Sequence, residues 1–549
     1  VTEQDLVIYP AKLVRTMDPS RPTAEAVAVR GDRIRAVGSM EELAAYGEAR
    51  IDDRYADAVL LPGFVEAHTH IFGGAMWQHT YVGYQERMSP DGKRWPGCTT
   101  LQAVLDRLRE AHTAMPDPTA PLTAWGLDPI FFPGERLDRR LLDQVSSTRP
   151  IFVMHQSFHL ATVNSAVLTA DNITADTSVE GVAKDAAGNP TGELQESPAM
   201  ALVKSVPAMM PGVSGMDDAL RSFGADARNH GVTTAVDLAN RSLMSDAMID
   251  AMRRIVDDEA FPIRTSIFHL ANGQGSSPEA VQRLLDLRAT NSAKLRFGHV
   301  KFVLDGSIQG FTARLQEPGY LPDGRNGIWV VPPEIFSEQF EMFHRAGLLV
   351  HAHTNGDEST ELFLDAVEAA FEHHPRLDHR HTATHSQLST PAQYRRMSAL
   401  GVCANIFVNH IYYWGDEHRD RILGPDRAHR MNATATALRA GVPISLHCDS
   451  PVTPLDVLAT VSIAATRTTA SGAVLGEHEK ISVEQALQAM TVGSSYMLKM
   501  DHEVGSIEAG KYADFAVLES DPLACEPDEV RDITIRGTMI GGRVCDVPG

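Results

Sequence analysis

Two histidines close the apolar run at residues 59 to 70, Val-Leu-Leu-Pro-Gly-Phe-Val-Glu-Ala-His-Thr-His, and they are spaced i, i+2. Successive side chains of a strand point to opposite faces, so His68 and His70 project from one side and can meet a single divalent ion. Taken alone the tripeptide is a weak signal, because an H-x-H also describes two polar residues at a strand end. Four later residues change its weight: Lys301 opens an apolar run, His353 and His385 end two others, and Asp449 follows Val442-Pro-Ile-Ser-Leu-His-Cys448. Imidazoles and a carboxylate without thiolates suit zinc or a neighbouring transition metal in a catalytic site. His68, His70 and Asp449 would hold one ion, and His353 and His385 a second. Lys301 cannot ligate as an ammonium with a reference pKa of about 10.4. As a carbamate it could bridge two ions roughly 3.5 to 4 Å apart; the alternative is a lysine salt-bridged near the site.

The elements that must carry these residues alternate. Strand-like apolar runs recur at Ile151 to Met154, Thr233 to Leu238, Ile263 to Phe268, His299 to Leu304, Leu348 to His353, Thr382 to His385, Val402 to Ile406 and Val442 to His447, each followed by helix-like sequence. Thr100 to Ala111 and Glu358 to Glu372 read as helices, and Ser482-Val-Glu-Gln485 as a capping box opening another. Such alternation predicts an α/β fold of eight parallel strands closed by helices, a TIM barrel, whose catalytic groups sit at the C-terminal strand ends. Both chain ends are β-rich and too short to bury a core alone. The expected organisation is therefore a small β-domain from residues 1–60 plus 500–549 and a barrel over 61–499, with an insertion within about 71–230 above one barrel mouth.

Composition narrows the function classes. Of 549 residues, 43% are hydrophobic and 22% charged, the balance of a globular protein with a large core. The net charge of -22 and the lack of a Lys/Arg-rich run disfavour nucleic acid as a partner. No apolar stretch approaches the roughly 20 residues that span a bilayer. The acidic start, Val-Thr-Glu-Gln-Asp, lacks the pattern of a secretory leader, so a cytoplasmic location is expected. Five cysteines, odd in number and without C-x-x-C spacing, read as free thiols.

Several stretches, in order along nearly the whole chain, resemble the metal-dependent amidohydrolase superfamily, and within it the amidohydrolase-3 or YtcJ-like group that includes N-substituted formamide deformylase. They are Leu61-Pro-Gly-Phe-Val-Glu-Ala-His-Thr-His70, His159-Leu-Ala-Thr-Val-Asn164-Ser, Gly192-Glu-Leu-Gln-Glu196, Gly231-Val-Thr-Thr234 and Lys301-Phe-Val-Leu-Asp-Gly306-Ser. His351-Ala-His-Thr-Asn-Gly-Asp357, Thr384-His-Ser-Gln387, Asp449-Ser-Pro451 and Gly505-Ser-Ile-Glu-Ala-Gly-Lys-Tyr-Ala-Asp514 complete the set. The resemblance implies a (β/α)8 barrel with a terminal β-sandwich. It also implies a metal-dependent hydrolase of non-peptide carbon–nitrogen bonds, with His68, His70, His353, His385 and Asp449 as metal and catalytic residues, one or two ions, most naturally Zn2+, and Lys301 as the residue that can be carboxylated.

From this follow the remaining expectations. Asp449 is expected to serve as general base, and His159 either stabilises the oxyanion or caps the local turn. His351 and His447 are expected to orient ligands or satisfy core hydrogen bonds, and Glu193 and Glu196 read as solvated loop acids, either of which could instead supply a carboxylate in place of Lys301. Phe72, Trp77, Phe131, Phe132, Phe158, Tyr412, Tyr413 and Trp414 are aromatics placed to wall an apolar pocket, with Phe72, Trp77, Phe158 and the 412–414 cluster as the substrate contacts. The expected partner is a small-molecule amide such as an N-substituted formamide, anilide or N-acyl amine; a homodimer is left open. The same residues leave open a cyclic-amide hydrolase, a deaminase, a carboxylic ester hydrolase, or a binding protein that has kept the barrel.

Overall fold

The computed structural model describes residues 5–547 apart from positions 133, 135, 208, 210 and 211. Eight parallel strands form the central sheet: β1 (Phe64–Thr69), β2 (Val232–Asn240), β3 (Arg264–Leu270), β4 (Leu295–Val303), β5 (Leu349–Thr354), β6 (Thr382–His385), β7 (Cys403–Ile406) and β8 (Ile444–Leu446). Each is hydrogen-bonded to the next in chain order, from β1 through to β8. Most of their residues are buried on both faces, as parallel strands wrapped by helices require. The barrel is nearly closed. At its seam the Asp449 N–H donates to the His68 carbonyl at 3.2 Å and the His70 N–H to the Ser450 carbonyl at 2.9 Å.

Helices form where the sequence signals them, the first in the inserted unit and the others around the barrel. The helix Leu101–Ala114 starts at the Thr100 side-chain cap, and Asp357–His373 follows β5. Ser482 and Gln485 form the full capping box of Val483–Gln488, each satisfying the other's orphan backbone N–H.

The β-sandwich expected from the chain ends is one hydrogen-bonded set of strands from both termini. Its pivot is Val59–Pro62, antiparallel to Phe515–Leu518 and parallel to Leu6–Arg15, which runs through Gly63 directly into β1. Arg264 of β3 binds the Asp514 carboxylate with two nitrogens at 2.7 and 3.0 Å, both side chains buried, and so ties the sandwich to the barrel.

Between β1 and β2 the chain builds a separate six-stranded sheet. The run Ile151 to Met154, read from sequence as one of the alternating strand–helix units, belongs here. As Ile151–His155 it pairs in parallel with Leu122–Leu127 and antiparallel with Leu160–Val163. An apolar β-run looks the same in either sheet, and only its pairing partners distinguish them.

Candidate metal centre

The C-terminal end of the barrel gathers five histidines and an aspartate. His68 lies in β1 and His70 just beyond it; the His68 Nε2 is 3.2 Å and the His70 Nε2 3.4 Å from the Asp449 Oδ1. The His385 Nδ1 is 3.8 Å from the other Asp449 oxygen and 3.1 Å from the His447 Nε2. Two overlapping donor sets result, His68–His70–Asp449 and His68–His385–His447, each with its ligand atoms within 4.8 Å of one another. His447 thus lies inside a donor set rather than behind one, its Nδ1 anchored 2.7 Å from the Asn405 Oδ1. His353 falls outside both sets, though its ring lies 4.5 Å from that of His385.

These groups fit a divalent metal by the state of their atoms. Asp449 Oδ1 is buried without a hydrogen-bond partner, as is the Nζ of Lys301. Burial holds His68 and His385 well below the usual imidazole range and His447 at about 3, so their lone pairs stay free of protons. Burial alone would raise the Asp449 carboxyl, but His68, His70 and His385 outweigh it and keep the group ionised. His385 and Asp449 both have left-handed backbones, with φ of 73° and 54°. Strain of this kind costs of order 1–3 kcal/mol and clusters at functional sites.

Lys301 sits two residues before the end of β4, paired with His351 of β5. Burial lowers its ammonium to about 7, where a neutral, nucleophilic amine is well populated. The alternative of a salt-bridged lysine finds no carboxylate partner among the described residues. Both His351 ring nitrogens are likewise buried and unpartnered.

His353 is held from behind. Its Nδ1 lies 2.9 Å from the Asp305 Oδ1, and Asp305 also accepts the N–H groups of Asn355 and Gly356 and the Ser359 hydroxyl. His159 comes over the mouth from the inserted sheet. Its ring is 5.1 Å from that of His353, and its Nδ1 is 2.8 Å from the Glu196 Oε2. Burial would lower the His159 pKa, but Glu196 outweighs it and raises it.

Several expectations change. Glu193 and Glu196 are not solvated: both are buried, Glu193 paired with Arg136 and Glu196 with His159. Trp414 does not face a pocket. It is fully buried, and its indole N–H donates to the Asp128 carboxylate at 2.8 Å. Tyr412 and Tyr413 pack against the barrel core, with Arg531 of the terminal segment over the Tyr412 ring. Trp77 packs edge-on to Trp125 within the inserted unit. Of the named aromatics, Phe72 and Phe158 adjoin the donor cluster: Phe72 lies 5.2 Å from His70 and 5.4 Å from Phe158. Phe131 stacks on Tyr84, and Phe132 is buried in the inserted core.

Three supporting residues escaped the sequence reading. Glu66 shares the strand face of His68 by period two, Asp305 lies inside the stretch around Lys301, and Asn405 alternates with buried β7 residues. Their positions were readable, but their partners come from other strands.

Residues 56–546 match the amidohydrolase family, and the chain belongs to that family. It is 27% identical over 98% of both chains to YtcJ of Bacillus subtilis (strain 168), whose name carries only an inferred amidohydrolase activity. It is 26% identical, again over 98% of both chains, to the N-substituted formamide deformylase of Arthrobacter pascens. Among solved structures, an uncharacterized metal-dependent hydrolase from Pyrococcus horikoshii OT3 shares the fold with a TM-score of 0.73 at 19% identity, covering 95% of this chain and 99% of that one. All five cysteines are free, and no helix among the described residues is long and apolar enough to cross a membrane.

Proposed function

We propose that this chain is a metal-dependent hydrolase of a non-peptide carbon–nitrogen bond in a small amide, such as an N-substituted formamide, anilide or N-acyl amine. The observation that carries this reading is the convergence of His68, His70, His385, His447 and the ionised Asp449 at the C-terminal ends of parallel strands. Similarity to the formamide deformylase along both full chains supports an amide as the substrate.

His68, His70, His385 and Asp449 would hold the metal, with His353 and Lys301 available to a second ion. A divalent ion held there, Zn2+ by the donor chemistry, would lower the pKa of water toward about 7 and polarise a carbonyl. Asp449, ionised and without a donor on its Oδ1, takes the proton of the attacking water. It returns that proton to the nitrogen of the departing amine, which leaves as a neutral molecule. His159 faces the carbonyl oxygen and stabilises its negative charge. Phe72 and Phe158 exclude water from the nitrogen substituent.

The test is metal analysis of the purified protein, followed by turnover of a panel of formanilides, N-acyl amines, cyclic amides and aryl esters. Amide turnover that is lost on chelation and restored by Zn2+ is the expected result. Stoichiometric metal with turnover of esters alone would reject the amide reading, and no bound metal would reject the mechanism.

A further inference from the structure

We propose that Glu196 is the positioning residue of a histidine–carboxylate pair that the inserted segment delivers to the barrel mouth, committing His159 Nδ1 to the protein and leaving Nε2 to meet the substrate. The role of Nε2 rests on the hydrolase reading above; the pairing itself rests on geometry.

Glu196 and His159 are tied twice. The carboxylate binds Nδ1, and the Glu196 backbone N–H donates to the His159 carbonyl at 2.6 Å. The two side chains are exposed differently: the acid keeps 5% of its surface and the imidazole 17%, so the ring, not the carboxylate, opens toward the mouth. Glu196 adopts a left-handed backbone, φ 61°, which a non-glycine residue accepts only when its surroundings demand it.

Its free oxygen, Oε1, is buried without a partner and packs against Gly306. A Cβ at Gly306 would stand 2.2 Å from Glu196 Oε1 and 2.1 Å from Thr312 Oγ1, so the seat requires a glycine. Gly306 directly follows Asp305, the residue that holds His353. One short loop after β4 therefore seats both the inserted pair and a candidate metal ligand, and the two rings come within 5.1 Å.

The chemistry follows from the imidazole. A carboxylate at Nδ1 takes the N–H of the neutral ring and fixes the tautomer and plane. Any further proton sits on Nε2, aimed at the cleft as a donor to a developing oxyanion. Without the acid the ring can turn and exchange tautomers.

The experiment compares Glu196→Ala, Glu196→Gln and Gly306→Ala with the metal-replete parent. Glu196→Ala should keep its metal and change KM less than about threefold while kcat falls about a hundredfold, within the range for a misplaced acid–base group. Added formate should restore kcat at least about tenfold, because a small carboxylate can occupy the vacated position. Gly306→Ala should lower kcat in the same direction with both partners intact. A readout without turnover is the nitrogen-15 spectrum of histidine side chains, with His159 assigned by loss of its signal in His159→Asn. Nδ1 should be protonated in the parent and lose that fixed state in Glu196→Ala. Unchanged kcat in Glu196→Ala, loss of metal without formate rescue, or an unchanged His159 signal would overturn the proposal. If no panel substrate is hydrolysed, the hydrolase reading fails while the spectrum still decides the pairing.

Discussion

Glu66 accepts the Cys448 backbone N–H at 3.0 Å, joining the first barrel strand to the segment that follows the last. Its other oxygen accepts the His68 N–H at 3.2 Å. One buried carboxyl group thus links the segments that carry His68 and Asp449, whose side chains stand 3.2 Å apart. At a seam otherwise bridged by the Asp449–His68 and His70–Ser450 backbone hydrogen bonds, a side chain adds a further tie.

Glu66→Ala should destabilise the protein and weaken its metal site together. It strands two buried N–H groups, each costing about 1–3 kcal/mol when unpaired. A lower melting temperature and reduced metal content after dialysis are expected. Retention of both would show that the seam is held by other contacts.

Asp449→Asn should reduce kcat by about a hundredfold or more, since the amide can neither take nor return the proton. Steady-state kinetics on the best amide, with metal content measured alongside, provides the check. Near-parental turnover would remove Asp449 from the chemistry.

Trp414→Ala, at a residue the sequence placed among the substrate contacts, should instead act on stability. The indole is fully buried and bonded to Asp128, a carboxyl that burial raises to about 7. The loss is about 3–5 kcal/mol, the usual range for emptying an aromatic site. Thermal denaturation measures it, and a selective KM change with an unaltered melting point would contradict the packing role.

Phe72→Ala should carry the selectivity effect. Removing this part-buried ring forfeits about 1.5–3 kcal/mol of apolar contact with an aryl substituent, so KM for an anilide should rise at least about tenfold and KM for a small formamide little. Equal changes would place the pocket wall elsewhere.

The opposite end of the barrel predicts a pH effect on stability. His344 Nδ1 lies 2.8 Å from His381 Nε2, and His379 Nδ1 accepts the His381 N–H. Burial lowers all three, His379 to about 4. Unfolded histidines take up protons below about 6.5. Between the two values the unfolded state therefore binds more protons, and stability falls as pH falls. The melting temperature should drop from pH 6.5 toward 4, less steeply in His379→Gln than in the parent; equal slopes would exclude the cluster as a source.

The barrel, the β-rich partnership of the two ends and the strand-end histidines are all legible along the chain. All three are local signals: period-two alternation, apolar runs of strand length, and ligand-type residues at fixed offsets from them. His68 and His70 could be placed on one face before any fold was known, because a strand's geometry puts them there. Tertiary structure decided which residues meet. His447 enters a donor set because β6, β7 and β8 are neighbours, and Asp305 orients His353 across two strands. Glu196 is buried only because the inserted sheet folds over the loop at Gly306. Likewise, Trp414 turns inward because Asp128, distant in sequence, supplies its acceptor. Burial and pairing depend on long-range packing, which residue type and spacing along one strand do not encode.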